Sequence, residues 1–200
     1  MQKILSLPQN KKLLFPYSEK NGNLLYDEEG LYSITPYNEA DYISKLILNN
    51  FINTNNNLNI LDGNGGLGGN SISFSKYFKT VTSIEINKPR FEMLKNNIEI
   101  YGITNITLEN CDSIQYLLNN YSQFECYFFD PPWGGHAYKK FKSLSFKMGD
   151  YKLIDIVDFI KNKTTNKLII FKLPFNYNFD EFKNYNYKLH KIKNYYIILI

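Results

Sequence analysis

Asp130, Pro131, Pro132 and Trp133 stand together in this chain, followed by Gly134 and Gly135, and Trp133 is its single tryptophan. A proline pair donates no backbone hydrogen bond and fixes its own geometry, so the carbonyls around Asp130 and Pro131 are expected to point outward as stationary acceptors. The indole adds a flat face, and the glycines let a ligand approach the backbone closely. A planar base carrying an amino group suits all three features.

A second set of residues suits a nucleotide-like ligand. The stretch LDGNGGLGGN follows an apolar strand and precedes the amphipathic SISFSKYF. The backbone of Gly63, Gly65, Gly68 and Asn70 is therefore expected to form a polar cradle at a helix start. Asp62 opens that loop and would repel a diphosphate, which favours S-adenosylmethionine, with its ammonium, over a dinucleotide. Glu85, with Ile86 beside it, ends the next strand and is placed to hold ribose hydroxyls. Asp112, with Ser113 after it, follows the third strand and is placed to accept from an adenine amino group. Each acid alone reads as a solvated strand end; three at successive strand ends form a set.

These residues need an alternating scaffold to bring them together. YDEEGLYSITP reads as a turn, and 36–51 as a helix with Thr35 as N-cap and Pro36 at the first helical position. LNILD, TVTSIEI, NITLEN, FECYFFD and NKLIIFKLP read as strands. SISFSKYF, KPRFEMLKNNIEIYG, SIQYLLNN and YKLIDIVDFIKN read as the helices between them. Such alternation specifies a mostly parallel sheet with helices on both faces. The end, YNYKLHKIKNYYIILI, reads as an antiparallel hairpin.

Composition fits that scaffold. The chain has 200 residues and is 44% hydrophobic, the size of one α/β domain. No apolar run reaches a membrane span, and the opening MQKILSLPQNKK lacks the core and cleavage site of a secretory signal, so an intracellular protein, in nucleus or cytoplasm, is expected. Cys111, Cys126, His136 and His190 show no metal spacing, and no metal is expected. The net charge is +4, and Arg90 is the sole arginine, so any phosphate grip rests on lysines or backbone amides.

The acid, proline, proline, aromatic unit resembles that of methyltransferases acting on exocyclic amino groups of bases. DPPWGG, with GLYSITP upstream and NKLIIFKLPFN downstream, resembles the trimethylguanosine synthase family, which methylates the guanine N2 of 7-methylguanosine RNA caps. The resemblance runs from about Leu14 to Ile200. It implies a class I Rossmann-like methyltransferase fold with a seven-stranded, mostly parallel sheet, ending in the antiparallel hairpin. It also implies a catalytic domain over 36–200 and an extension over 1–35 that closes on cofactor and substrate. Ser33 and Thr35 would close over cap and cofactor, Trp133 would stack on the methylated guanine, and Pro132, Gly134 and Asn176 would line the base site. Asp130 and the Pro131 carbonyl would accept the two amino hydrogens. The implied partner is 7-methylguanosine-capped RNA and the implied state a monomer. Two positions depart from the family: Asp130 replaces the common serine, and Phe175 replaces the arginine before Asn176. Lysines such as Lys11, Lys12 or Lys139 are then expected to take the cap phosphates. Guanine-N2 methylation of rRNA, adenine-N6 methylation, and a non-catalytic cap-binding module are the alternatives.

Overall fold

Short runs of β-branched and aromatic residues build the sheet in the computed structural model, which describes residues 14–51 and 57–200. Lys11, Lys12, the opening segment and part of the asparagine-rich loop lie outside the described residues. The central strands are β1 (Asn59–Asp62), β2 (Thr80–Ile84), β3 (Ile106–Glu109) and β4 (Cys126–Phe129). A two-residue pair follows, β5 (Lys147–Met148) and β6 (Tyr151–Lys152), then β7 (Leu168–Pro174), β8 (Lys188–Ile192) and β9 (Tyr195–Leu199). Seven of them form one sheet in the order β3-β2-β1-β4-β7-β9-β8. Every pairing from β3 to β7 is parallel, and β9 runs antiparallel to both its neighbours. The order of strands reverses between β1 and β4, and such a switch point opens a crevice at the carboxyl ends. Asp62 pairs there with Ser83 on one side and Phe128 on the other.

Period-two alternation sends β4 side chains to two different cores. Cys126 and Phe128 join Ile43 and Ile47 of α2 (Tyr37–Leu48) and Phe74 of α3 (Gly69–Phe74). Tyr127 and Phe129 join Ile114 and Leu117 of α5 (Ser113–Asn120) and Ile156 and Ile160 of α6 (Leu153–Lys163). Burying each large apolar side chain stabilises by about 1.5–3 kcal/mol, which makes the doubly covered strands the rigid base of the site.

Three elements differ from the reading of the sequence. YDEEGLYSITP contains a helix, α1 (Glu28–Ser33), because Asp27 caps it through Gly30 N–H at 2.6 Å and Leu31 is buried. Arg90, on α4 (Lys88–Ile100), then binds Asp27 and Glu29 together. α2 starts one residue later than expected, with Pro36 at the N-cap, and it ends at Leu48. Tyr151 and Lys152 belong to the β5–β6 hairpin, whose turn holds Gly149 at φ +58°, so α6 starts only at Leu153. Residues 14–35 pack on α4: Phe15 and Leu24 are fully buried, and Asn97 bonds both the N–H and the carbonyl of Leu25. Among the described residues no helix is long and apolar enough to cross a membrane, and no His, Cys, Asp and Glu cluster could hold a metal ion.

Candidate active site

The glycine loop leaves β1 over a buried acid. Asp62 is fully buried; Ser71 Oγ donates to its Oδ2 at 2.5 Å, and Asn64 N–H approaches Oδ1 at 3.4 Å. Burial pushes the Asp62 carboxyl up to about 7, against those hydrogen bonds, and the charges of Asp130 and Glu85 push the same way. A Cβ at Gly65 would lie 2.4 Å from Ser83 Oγ and 2.9 Å from a Leu94 methyl, so only glycine fits there. Gly68 sits at φ +97°, where the chain turns into α3.

The loop amides are not the free cradle expected from the sequence. Gly63 N–H goes to Phe128 O, Gly65 N–H to Ile84 O, Gly68 N–H to Gly65 O, and Gly66 N–H to Glu85 Oε2. The loop extends the sheet pairing past β1, so it offers shape and close approach more than spare donors. One acceptor nearby is unused: Asn70 Oδ1 is buried with no hydrogen-bond partner, while Asn70 Nδ2 donates to Thr35 Oγ1 at 3.2 Å. That bond ties Thr35, just before α2, to α3.

A cavity of about 180 Å³ opens beside the loop. Glu85, Ile86, Asp112 and Ser113 line it together with Gly63, so three successive strand ends converge there, while Asp62 itself does not line it. Pro132 of the proline pair lines the same cavity, as do Lys147, Met148 and Gly149 of the β5–β6 hairpin. Glu85 accepts from Gly66 and Asn87 N–H at 3.0 and 2.8 Å. Asp112 caps α5 through Oδ1, at 2.8 and 2.9 Å from Ile114 and Gln115 N–H. Ile86 is 66% exposed, an apolar surface beside an acid. A wider depression of about 360 Å³ lies by Lys161, Thr164 and Lys167, at the opposite edge of the sheet, and none of the strand-end acids lines it.

β4 delivers Asp130 to the other side of the crevice. Its N–H donates to Asn64 Oδ1 at 3.1 Å, and its Oδ2 accepts from Lys172 Nζ at 2.6 Å. Pro131 is buried and Trp133 partly exposed. The indole N–H donates to Lys172 O at 3.3 Å, and the ring meets Tyr138 edge-on with centroids 5.3 Å apart. Asn176 donates both amide hydrogens to this loop, to Tyr138 O at 2.9 Å and Phe141 O at 2.7 Å, so it fixes the segment that follows Gly134. Ser33 is exposed and returns its hydroxyl to Glu29 O of its own helix. Tyr32 next to it meets His136 with ring centroids 3.9 Å apart, joining α1 to the Trp133 loop.

The crevice fits S-adenosylmethionine in its donor set: carboxylates at two strand ends, Glu85 and Asp112, an apolar surface at Ile86, and a buried acceptor at Asn70 without a donor. A family model described as RNA cap guanine-N2 methyltransferase matches residues 57–198. The chain belongs to that family. It is therefore an S-adenosylmethionine-dependent methyltransferase that modifies the guanine N2 of RNA caps. An uncharacterized protein of Acanthamoeba polyphaga mimivirus is 32% identical over 95% of this methyltransferase and 84% of its own length. Trimethylguanosine synthase of Schizosaccharomyces pombe is 34% identical over 69% of this chain and 61% of its own. A Thermus thermophilus 16S rRNA N2 G1207 methyltransferase, solved with AdoMet and guanosine, shares the fold at 10% identity and a TM-score of 0.61, over 87% of this chain and 43% of that one.

Several site residues of the methyltransferase escaped the sequence. The β5–β6 hairpin is too short to show a period. Lys172 had a signal, a lysine inside the apolar run LIIFKLP, and so did the capping role of Asp112, a residue expected at the site only as an acceptor, since Gln115 three residues on marks a cap.

Proposed function

We propose that this methyltransferase acts on 7-methylguanosine caps, with the cofactor between Glu85 and Asp112 and the cap base between Asp130 and Trp133. The observation that carries this reading is Pro132, which lines the same cavity as Glu85 and Asp112 and so sets the base motif against the cofactor space. Glu85 would hold the ribose and Asp112 Oδ2 the adenine amino group, with Ile86 and Met148 enclosing the ring. Asp62 lies under the loop and would act on the cofactor ammonium through charge and through the loop it braces. Thr35 and Asn70 would close the methionine end, with Gly63, Gly65 and Gly68 allowing close approach.

Held there, S-adenosylmethionine would supply an electrophilic sulfonium methyl group, with a neutral thioether as the leaving group. The guanine amino lone pair is delocalised into the ring, so orientation is the main task of the protein. Asp130 Oδ1 and the Pro131 carbonyl would accept the two amino hydrogens and turn the nitrogen toward the methyl. The proton that the amino nitrogen gives up would go to Asp130 Oδ1, the basic oxygen beside it.

7-Methylguanine is a cation, and a cation on an indole gains about 0.5–1 kcal/mol exposed and ~2 kcal/mol desolvated. The larger figure is roughly a 30-fold preference for the methylated base at Trp133. Between Asp130 and Asp150 the chain carries no acid and holds Lys139, Lys140, Lys142 and Lys147. These lysines follow the Trp133 loop, and Lys147 reaches the cavity wall. They would carry the cap phosphates in place of the arginine that Phe175 replaces. Ser33, Gly134 and Asn176 would shape the base site, Asn176 by holding its loop. Labelled S-adenosylmethionine tests the reading, offered with 7-methyl-GDP, GDP, an adenine-containing DNA and an rRNA fragment in parallel. Transfer to 7-methyl-GDP above GDP is expected; transfer only to DNA or rRNA overturns the substrate.

A further inference from the structure

A lysine in a central strand is costly to bury unless its charge is paired. Lys172 lies near the carboxyl end of β7 between Phe171 and Leu173, and only 5% of it is exposed. Its ammonium donates to Asp130 Oδ2 at 2.6 Å and lies 5.2 Å from the Trp133 ring centroid and 5.1 Å from that of Tyr195. Its backbone carbonyl accepts the Trp133 indole N–H. One residue thus touches both the acid and the aromatic of the DPPW unit, through two different atoms.

The surroundings explain why Asp130 needs such a partner. On one side lies the buried Asp62, close enough that the charge of Asp130 helps push its carboxyl up. On the other side Tyr195 is turned away, its hydroxyl donating at 2.7 Å to Glu39 of α2, which also pairs with Lys193. Among the described residues, Lys172 is the cation within ion-pair distance of Asp130. Burial raises the Asp130 carboxyl above its ordinary range, and Lys172 opposes that rise.

We propose that Lys172 is a positioning residue for methyl transfer: it holds the Asp130 carboxylate ionised and fixed by Oδ2, leaving Oδ1 for the guanine amino group, while its carbonyl sets the pitch of Trp133. The proposal rests on the assignment of Asp130 to the acceptor amino group. An acid here is tolerated because β7 carries a matching lysine, and the pair is neutral next to a cationic base and a cationic methyl donor.

The test is kcat against pH, from 5.5 to 9, with 7-methyl-GDP at saturating S-adenosylmethionine, for wild type, Lys172→Met and Lys172→Arg. Saturation removes the contribution that Asp62 makes through cofactor binding. In Lys172→Met the acidic limb is expected to move up by at least one pH unit, so that kcat falls tenfold or more at pH 6.5 and recovers toward pH 9. Lys172→Arg keeps the cation and should keep the wild-type limb. A loss in Lys172→Met that is equal at every pH, or no loss, overturns the proposal. If Lys172→Met does not bind cofactor by calorimetry, Lys172→Gln replaces it with the same criterion. If wild type transfers no methyl to 7-methyl-GDP, the substrate reading has failed instead, and the profile is taken with the acceptor that is methylated.

Discussion

The cofactor side of the crevice and the base side are held in different ways. On the cofactor side Asp62, Glu85 and Asp112 are each bound to backbone or hydroxyl donors nearby in sequence, between 2 and 19 residues away. On the base side Asp130 and Trp133 are held by Lys172, 42 and 39 residues away, and the loop after Trp133 by Asn176, 38 residues from Tyr138. The first arrangement is local and survives changes elsewhere in the chain. The second depends on β7 being docked, so substrate recognition should be the more easily tuned half.

The sharpest way to break the cofactor half is Gly65→Ala. The added methyl meets Ser83 and Leu94 and costs about 1–3 kcal/mol of overpacking within the loop itself. Cofactor affinity should fall at least tenfold by calorimetry, with a lowered melting temperature. Trp133→Ala breaks the base half. Its KM for 7-methyl-GDP should rise about 30-fold if the full desolvated cation–π contact is lost. Its KM for GDP should change less, which steady-state kinetics on both acceptors would show.

Asp62 sharpens the comparison through pH. Its carboxyl is raised to about 7 when folded, against about 4 unfolded, so its contribution to stability is present below about pH 4 and lost as pH rises to about 7. The apo protein should therefore lose stability across that window, and Asp62→Asn should lose less. An ammonium ligand favours the ionised acid, so cofactor binding should tighten up to about tenfold per pH unit below pH 7 and release a proton, read by calorimetry in two buffers. The smallest effect is expected from Lys139→Gln with Lys142→Gln. Affinity for a capped RNA should lose about 0.7 per lysine from its log–log salt slope, with kcat unchanged.

The same local and distant division explains what the sequence disclosed. The alternation of strands and helices, the glycine loop and the acids at strand ends all rest on short-range spacing, and these features stand in the structure. The short helix at Glu28–Ser33 was hidden because its glycine and acids read as a turn, while its stability comes from Arg90 far along the chain. Asp62 was expected at the ligand, but its side chain turns to Ser71, a partner that the loop geometry selects. The pairing of Asp130 with Lys172 and the loop bonds of Asn176 are long-range contacts that no spacing rule reports.

The most direct test of the divided site measures S-adenosylmethionine binding and turnover together in Asp130→Ala and Trp133→Ala. Turnover on 7-methyl-GDP should fall by about a hundredfold or more in Asp130→Ala, on the order of 2.7 kcal/mol of barrier, while the calorimetric Kd for the cofactor stays within about threefold of wild type in both variants, under ~0.7 kcal/mol. Loss of cofactor affinity in both variants would contradict the division between the two halves.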